Sequence, residues 1–388
     1  LLKIGIECES IEGKNPIFGV GRIIMKLLEE ISRRPELKGN YKFILYFKDK
    51  VPDFDFLQNS IFEIKLTPVP FFKNRLFPIY YFLLLPIRLW FDRPNIMFWP
   101  NYMLPIIAFG KSLVLLTEDV YYETYTGKLP FQYRLAYGIF AWWAAKFADK
   151  IIAISKTSKD NLVKLYKINP NKISVNYLGV DFIKYQGQNL KKQNPYLLFV
   201  GQMFPRRHVK EVILAFKKLL TEHENELTNL KMNNLNLILV GPDKYEIPTI
   251  NPLISEINKQ LKRVAIIHKD YVSNEKLAQL YTKAKALIYV SDKEAFGLPP
   301  MEALSFGIPP IVMDNNLGHE LFDKYAFFVN GSNEEEITNN ISNIFYYIIC
   351  CKNPTITEKI EKIRKFGPEF VKKYNWKNFT DRFIENLN

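Results

Sequence analysis

Two carboxylates frame the string Glu294-Ala295-Phe296-Gly297-Leu298-Pro299-Pro300-Met301-Glu302. A carboxylate pair on either side of a tight turn can hold vicinal hydroxyls, one acid on a sugar ring and the other on a ribose. The proline pair fits a helix start, because the N–H that proline lacks would be unpaired there anyway. The backbone N–H groups of Phe296 to Leu298 would then point outward from a helix N-terminus, a place that suits phosphate. A second group with chemical reach is Gln202-Met203-Phe204-Pro205-Arg206-Arg207-His208. Adjacent guanidinium groups grip phosphate oxygens in a bidentate manner and keep their charge at neutral pH. Further upstream, Gly19-Val20-Gly21-Arg22 lets backbone approach a ligand closely. It does not continue as a dinucleotide-binding glycine motif, since Ile24 holds the third position. Thr117-Glu118-Asp119 adds two acids at an expected strand end.

Positioning these groups requires a regular scaffold. Apolar runs that read as strands fall at 3–7, 41–47, 61–66, 96–99, 112–117 and 150–154, with helical patterns at 20–31 and 131–148 among them. A second series begins at 196–200 and continues at 235–240, 264–267, 286–290, 311–313 and 327–329. Strands that alternate with helices imply parallel sheets covered on both faces. The expected fold is therefore α/β, with two doubly wound, Rossmann-like domains facing a cleft. At 388 residues the chain exceeds what one core usually fills, which also calls for two domains. The boundaries read as 1–182 for the first domain, a polar Gln/Lys/Asn-rich linker at 183–195, and 196–367 for the second. An amphipathic segment at 368–388 follows. Ligands in such folds bind beyond the carboxyl ends of the strands, where Glu294 is expected.

Composition narrows the function classes. The chain carries a net charge of +13 and 15% aromatic residues, which suit phosphorylated, carbohydrate or anionic lipid partners. No known nucleic-acid-binding motif accompanies the charge, so no nucleic-acid partner is expected. Cys8, Cys350 and Cys351 form no disulfide framework, and the four histidines show no metal-ligand spacing. Together these point to a reducing, cytoplasmic setting and to no metal site. Lys3-Ile4-Gly5-Ile6 reads as a first strand rather than a leader. The apolar run at 77–91 is shorter than a spanning helix and is broken by prolines and Arg88. It reads either as a buried helix or as one lying at a lipid interface. Asp53-Phe54-Asp55 spells a short metal-binding pattern, but one that is frequent by chance.

The stretch from Glu294 through Gly307-Ile308-Pro309 to Val312 resembles the signature of retaining GT-B glycosyltransferases of the family 4 type, the glycosyl transferases of group 1. The resemblance implies a nucleotide-diphosphate sugar as co-substrate, a glycan or lipid-linked acceptor, and hexosyl transfer that retains the anomeric configuration. It implies no metal and no further cofactor. Under it, Glu294 and the pair Arg206 and Arg207 carry the catalysis. Glu302, Ala295, Phe296, Gly297, Leu298, Gly19, Gly21, Gln202 and Tyr271 bind the donor, while Glu118, Asp119 and Arg22 lie on the acceptor or sugar side. The first domain becomes the acceptor side, the second holds the nucleotide sugar, and the segment at 368–388 crosses back as a helix to the first. Polysaccharide biosynthesis with peripheral contact to an anionic membrane, at its inner face, is the cellular setting it implies. Two positions depart from the family pattern, which has Arg at Gln202 and His at Glu118. Three alternatives stay open: an inverting transferase or epimerase using Glu118, Asp119 or Glu7 as base, a binding protein without turnover, and a basic nucleic-acid binder.

Overall fold

The computed structural model describes residues 1–13, 19–67, 79–118, 131–181, 194–350 and 353–388, except the side chains of 131–133. The chain forms two compact units, Leu1–Gly179 with Tyr374–Asn388, and Val180–Lys373. Most of the stretch read as a linker, and Asp119, lie outside the described residues.

Unit 1 is built on seven parallel strands: β1 (Leu2–Glu7), β2 (Tyr41–Phe47), β3 (Phe62–Leu66), β4 (Ile96–Trp99), β5 (Lys111–Leu115), β6 (Lys150–Ala153) and β7 (Ile173–Val175). Their order across the sheet is β3-β2-β1-β4-β5-β6-β7. Ile4 pairs with Phe43 on one side and Ile96 on the other. Unit 2 repeats the plan with β8 (Tyr196–Val200), β9 (Asn236–Val240), β10 (Ile266–Lys269), β11 (Leu287–Tyr289), β12 (Pro310–Met313) and β13 (Phe327–Val329). Its order is β10-β9-β8-β11-β12-β13. Every residue of β4, β8 and β12 is buried, because helices cover both faces. That is why these strands read as unbroken apolar runs rather than alternating ones. The edge strand β3 has no fully buried residue. The strand order reverses between β1 and β4, and again between β8 and β11, which makes those carboxyl ends the topological switch points where ligands bind in such sheets.

The helices follow their sequence periods. Val20–Ser32 buries Ile23, Ile24, Leu27, Leu28 and Ile31, one stripe at three- and four-residue spacing. The apolar run at 77–91 is helical over its described part, as a π-turn at Tyr80–Leu84 followed by an α-helix at Leu85–Asp92. It is buried on one side through Tyr80, Tyr81, Leu85 and Leu89, while Leu83, Ile87, Trp90 and Phe91 are exposed. The amphipathic segment from Pro368 is not one helix. Pro368 lies in the last turn of Pro354–Val371, and a new helix begins at Trp376. The break is chemical: the Asn375 side chain accepts from the Asn378 N–H and starts the final helix afresh. Trp376, Phe379 and Phe383 of that helix are buried in unit 1. Phe383 meets Phe98 edge-on at 4.9 Å, and Asn176 donates to the Phe379 carbonyl at 3.1 Å. Gly179 is obligatory there, since a Cβ would stand 2.4 Å from the Trp376 nitrogen.

Candidate functional site

Two loops at the carboxyl edge of the unit 2 sheet carry the residues singled out in the sequence. The first leaves β8 at Gly201 (φ 141°) and turns through Pro205–Arg207 into the helix Val209–Glu222. The second leaves β11, passes Ser291 to Gly297 (φ 94°) and enters the helix Leu298–Ser305. Because β8 and β11 are neighbours at the switch point, the loops lie side by side. Arg207 donates from Nε to Glu294 Oε1 at 2.7 Å and from Nη1 to the Gln202 carbonyl at 2.8 Å. Its guanidinium lies over the Tyr289 ring at 5.1 Å, and Arg206 covers Phe204 at 4.5 Å. Arg206 also donates to the Lys293 carbonyl at 3.2 Å and accepts, through its own carbonyl, from the Asp292 N–H at 3.0 Å. Ser291 Oγ lies 3.3 Å from Glu294 Oε1 and donates toward it. Arg207 and Glu294 are both largely buried, so their ion pair sits in a weakly screened environment. Burial, then the charge of Glu294, pushes the Tyr289 phenol well above its ordinary range, which keeps it neutral.

Glu294 opens onto a hollow lined by Phe296, Gly297, Met313, Asn315 and Gly318 among others. The hollow thus brings the acid, the turn before Leu298 and the start of the helix Asn316–Phe322 together. Asn315 caps that helix by accepting from the Gly318 N–H at 2.8 Å. Ala295 and Phe296 are buried with the loop. Glu302 is buried one turn into its helix and accepts from Tyr281 Oη at 3.0 Å. Tyr271 is exposed, two residues beyond β10. A larger hollow of about 410 Å³ lies in unit 1, lined by Asp53, Asp55, Glu29 and Arg33 among others. Among the described residues no group of three or more His, Cys, Asp or Glu could hold a metal ion.

The remaining singled-out residues belong to unit 1. Gly19 (φ 56°) precedes the helix Val20–Ser32, Gly21 is buried in its first turn, and Arg22 follows. Glu118 is buried, accepting from Ser158 Oγ and from Asn161 Nδ2 at 3.1 Å. Glu7 ends β1 and is fully buried. The Glu9 N–H donates to its Oε1 at 2.7 Å and Asn101 Nδ2 to its Oε2 at 3.0 Å. Burial, then the neighbouring Glu9, pushes its carboxyl up to about 8.

Sequence reasoning stopped at Arg207 and passed over its neighbour. His208 is the turn between the two structural pieces, with φ 48°. Its Nε2 is 3.0 Å from Asp292 Oδ1 and its Nδ1 is 3.6 Å from Glu211 Oε2. Tyr281, the partner of Glu302, was also missed. Asp292 and Glu302, their partners across the fold, come from other elements, so the chain order gave no sign of these pairings.

The comparisons with known proteins bear on the family and the fold. The family model described as Glycosyltransferase Family 4 matches residues 19–183, and the one described as Glycosyl transferases group 1 matches residues 181–345. The O-antigen chain mannosyltransferase RfbU of Salmonella typhimurium (strain LT2) is 29% identical over 269 residues, covering 68% of this chain and 69% of that protein. The O-antigen chain mannosyltransferase B of Escherichia coli is 28% identical over 178 residues, 42% of this chain and 43% of that one. Among solved structures, Anabaena HepE in complex with UDP-glucose superposes over 100% of this chain and 99% of its own, with a TM-score of 0.68 at 14% identity. WaaG, a glycosyltransferase involved in lipopolysaccharide biosynthesis, does so over 99% of both chains, with a TM-score of 0.67 at 16% identity.

Proposed function

The chain belongs to the group 1 glycosyltransferases of the family 4 type, built on the GT-B fold, and from that premise we propose that it moves a hexose from a nucleotide-diphosphate sugar to a glycan or lipid-linked acceptor with retention of anomeric configuration and without a metal. The observation that carries the reading is the Arg207–Glu294 pair, set beside the amide-bearing turn at Gly297. In this proposal Arg206 and Arg207 neutralise the diphosphate as the glycosidic bond breaks, which is when charge builds on it. Glu294 holds sugar hydroxyls and fixes the anomeric carbon. The acceptor hydroxyl attacks from the face the phosphate is leaving and gives its proton to a phosphate oxygen. Positioning and electrostatics then supply most of the rate, and no protein nucleophile is needed.

Retention is supported by two of the three acids that an inverting route could use as base, Glu7 and Glu118; the third, Asp119, lies outside the described residues. An inverting route needs a carboxylate base that an acceptor hydroxyl can reach, and both Glu7 and Glu118 are buried with their oxygens engaged. Two relatives are named O-antigen chain mannosyltransferases, so mannose is the first sugar to try and an O-antigen-type glycan the first acceptor. A panel of nucleotide sugars headed by GDP-mannose, scored by thermal shift and followed by NMR of the product's anomeric proton, tests the reading. No stabilisation by any nucleotide sugar would defeat it, and an inverted anomeric centre would defeat the retaining mechanism.

The proposed setting is the surface of an anionic membrane. Leu83, Ile87, Trp90 and Phe91 form one outward stripe on 80–92, each between 46% and 75% exposed. Leu135, Ile139 and Trp142 form a second on Phe131–Phe147, beside the first, since Phe82 stacks on Phe140 at 5.4 Å. The charged residues of the second helix are Arg134 and Lys146, with no acid among them. Trp and Phe on one face with cations nearby suit a helix lying in a lipid interface. Among the described residues no helix is long and apolar enough to cross a membrane. Replacing Trp90 and Phe91 together by serine is expected to lower partitioning onto anionic vesicles at least ~10-fold, given roughly 1.5–3 kcal/mol per buried large side chain. Vesicle sedimentation measures this, and unchanged binding by the double variant would exclude the stripe as the contact.

A further inference from the structure

His208 occupies a backbone conformation that glycine adopts without strain and most other residues avoid. Histidine is among the residues that visit it more readily, yet the conformation still has a cost. The side chain gives a reason for the choice. It lies largely buried between two carboxylates, Glu211 on its own helix and Asp292 on the loop that carries Glu294. The approach to Asp292 at 3.0 Å is an ion pair without hydrogen-bond alignment. Asp292 is held twice, since its N–H also donates to the Arg206 carbonyl. The two loops are therefore tied at three successive residues: Arg206 by backbone, Arg207 to Glu294, and His208 to Asp292.

We propose that His208 is a positioning residue, a cationic latch that binds the acid loop to the arginine loop and so holds Arg207 and Glu294 in register for a nucleoside diphosphate. The inference rests on the proposed function for its ligand, but the latch itself is a property of unit 2. Ordinarily burial would lower the imidazole pKa. Here the two carboxylates outweigh it and push the group up to about 9. A histidine whose folded pKa lies above its free value of about 6.5 contributes fully below that value and loses its contribution as pH rises through about 9. The groups bearing on it are Glu211 and Asp292, and Glu211 in turn bears on Tyr245, from the segment after β9, as does Asp243. The Tyr245 phenol is pushed up to about 12, chiefly by burial, so it does not titrate in the same range.

The test uses the full chain with His208→Asn, which tolerates the backbone conformation, with Asp292→Asn, and with both. Hydrogen exchange of the 291–297 segment is read alongside calorimetric titration with UDP and GDP at neutral pH. Each single change is expected to expose the 291–297 amides and to weaken nucleoside diphosphate binding about 10-fold, the scale of a lost charge-assisted contact. The double change should add little, because one interaction is being removed twice. In the unaltered chain, protection of 291–297 should fall as pH rises through about 9, and His208→Asn should abolish that step. A helix-capping role alone would disturb the first turn of Val209–Glu222 and leave Asp292→Asn silent. Unchanged exchange at 291–297 in the single variants, or additive losses in the double, would overturn the latch. Should the unaltered chain bind neither UDP nor GDP, the proposed function would fall while the exchange data still decided the latch.

Discussion

Glu294→Ala and Arg207→Ala are each expected to reduce sugar transfer at least ~100-fold, the scale for losing a contact made in the transition state. The two side chains are neighbours in a largely buried ion pair, so neither can be removed without altering the other's surroundings. Alanine at 294 leaves the guanidinium its bond to the Gln202 carbonyl and its place over Tyr289. Arg207 would then stay near its position, and the loss would report what the carboxylate does to the sugar. Alanine at 207 removes the cation proposed to face the diphosphate and leaves Glu294 the Ser291 hydroxyl 3.3 Å away. Lysine at 207 is not a rescue. Its three N–H donors sit on one atom, whereas arginine spans Glu294 and the Gln202 carbonyl from Nε and Nη1 in a fixed fork. The double alanine variant should be far less than 10,000-fold impaired, because residues acting as a unit are not additive. Steady-state kcat/KM on the sugar identified by the panel, with circular dichroism to confirm folding, checks all four variants. Near-normal turnover in both single variants would remove the roles assigned here.

The parallel strands were legible because burial on both faces makes them unbroken apolar runs. The expected runs at 41–47, 96–99, 196–200 and 327–329 coincide with β2, β4, β8 and β13, and the others differ at their ends by a residue or a few. The acid loop was legible because proline, glycine and acid stand in one continuous string. What the chain order hid were contacts between strings. Glu118 looked like an acid at a strand end, but its partners Ser158 and Asn161 come some forty positions later and turn it inward. His208 meets Asp292 only because β8 and β11 are neighbours, a pairing set by topology. The outward stripe on Phe131–Phe147 was hidden for a different reason. That helix is apolar nearly all round, so no period separates its buried alanines from exposed Leu135, Ile139 and Trp142. The break before Trp376 escaped because the aromatic period runs through it, while the Asn375 cap acts on the backbone alone.

Gly241→Ala should destabilise unit 2 by about 3 kcal/mol or more, combining overpacking with a strained backbone, each of about 1–3 kcal/mol. Gly241 follows β9 with φ 136°, and a Cβ there would lie 2.0 Å from the Gly201 carbonyl oxygen and 2.6 Å from its carbon. Both obstacles are main chain, so no rotamer change relieves them. Nor can the segment easily back away. The Gly241 N–H donates to Lys269 at 2.9 Å, and the next strand end is held by Gly201 N–H to Val240 at 2.8 Å and Met203 N–H to Pro242 at 2.9 Å. Something must shift, and the segment best able to shift is the one that leads through Gln202 to Arg207. The same substitution should therefore weaken nucleotide binding by more than its stability loss alone would explain. Gly39→Ala is the matched control, because nothing lies within 4 Å of its added Cβ and its φ is ordinary; it should stay within about 0.5 kcal/mol of the parent. Urea unfolding followed for each unit separately is needed, since two compact units need not melt together. A Gly241→Ala chain with parental stability would mean that the loop after β8 yields freely. Arg207 would then be held by its side-chain partners rather than by the backbone beneath it.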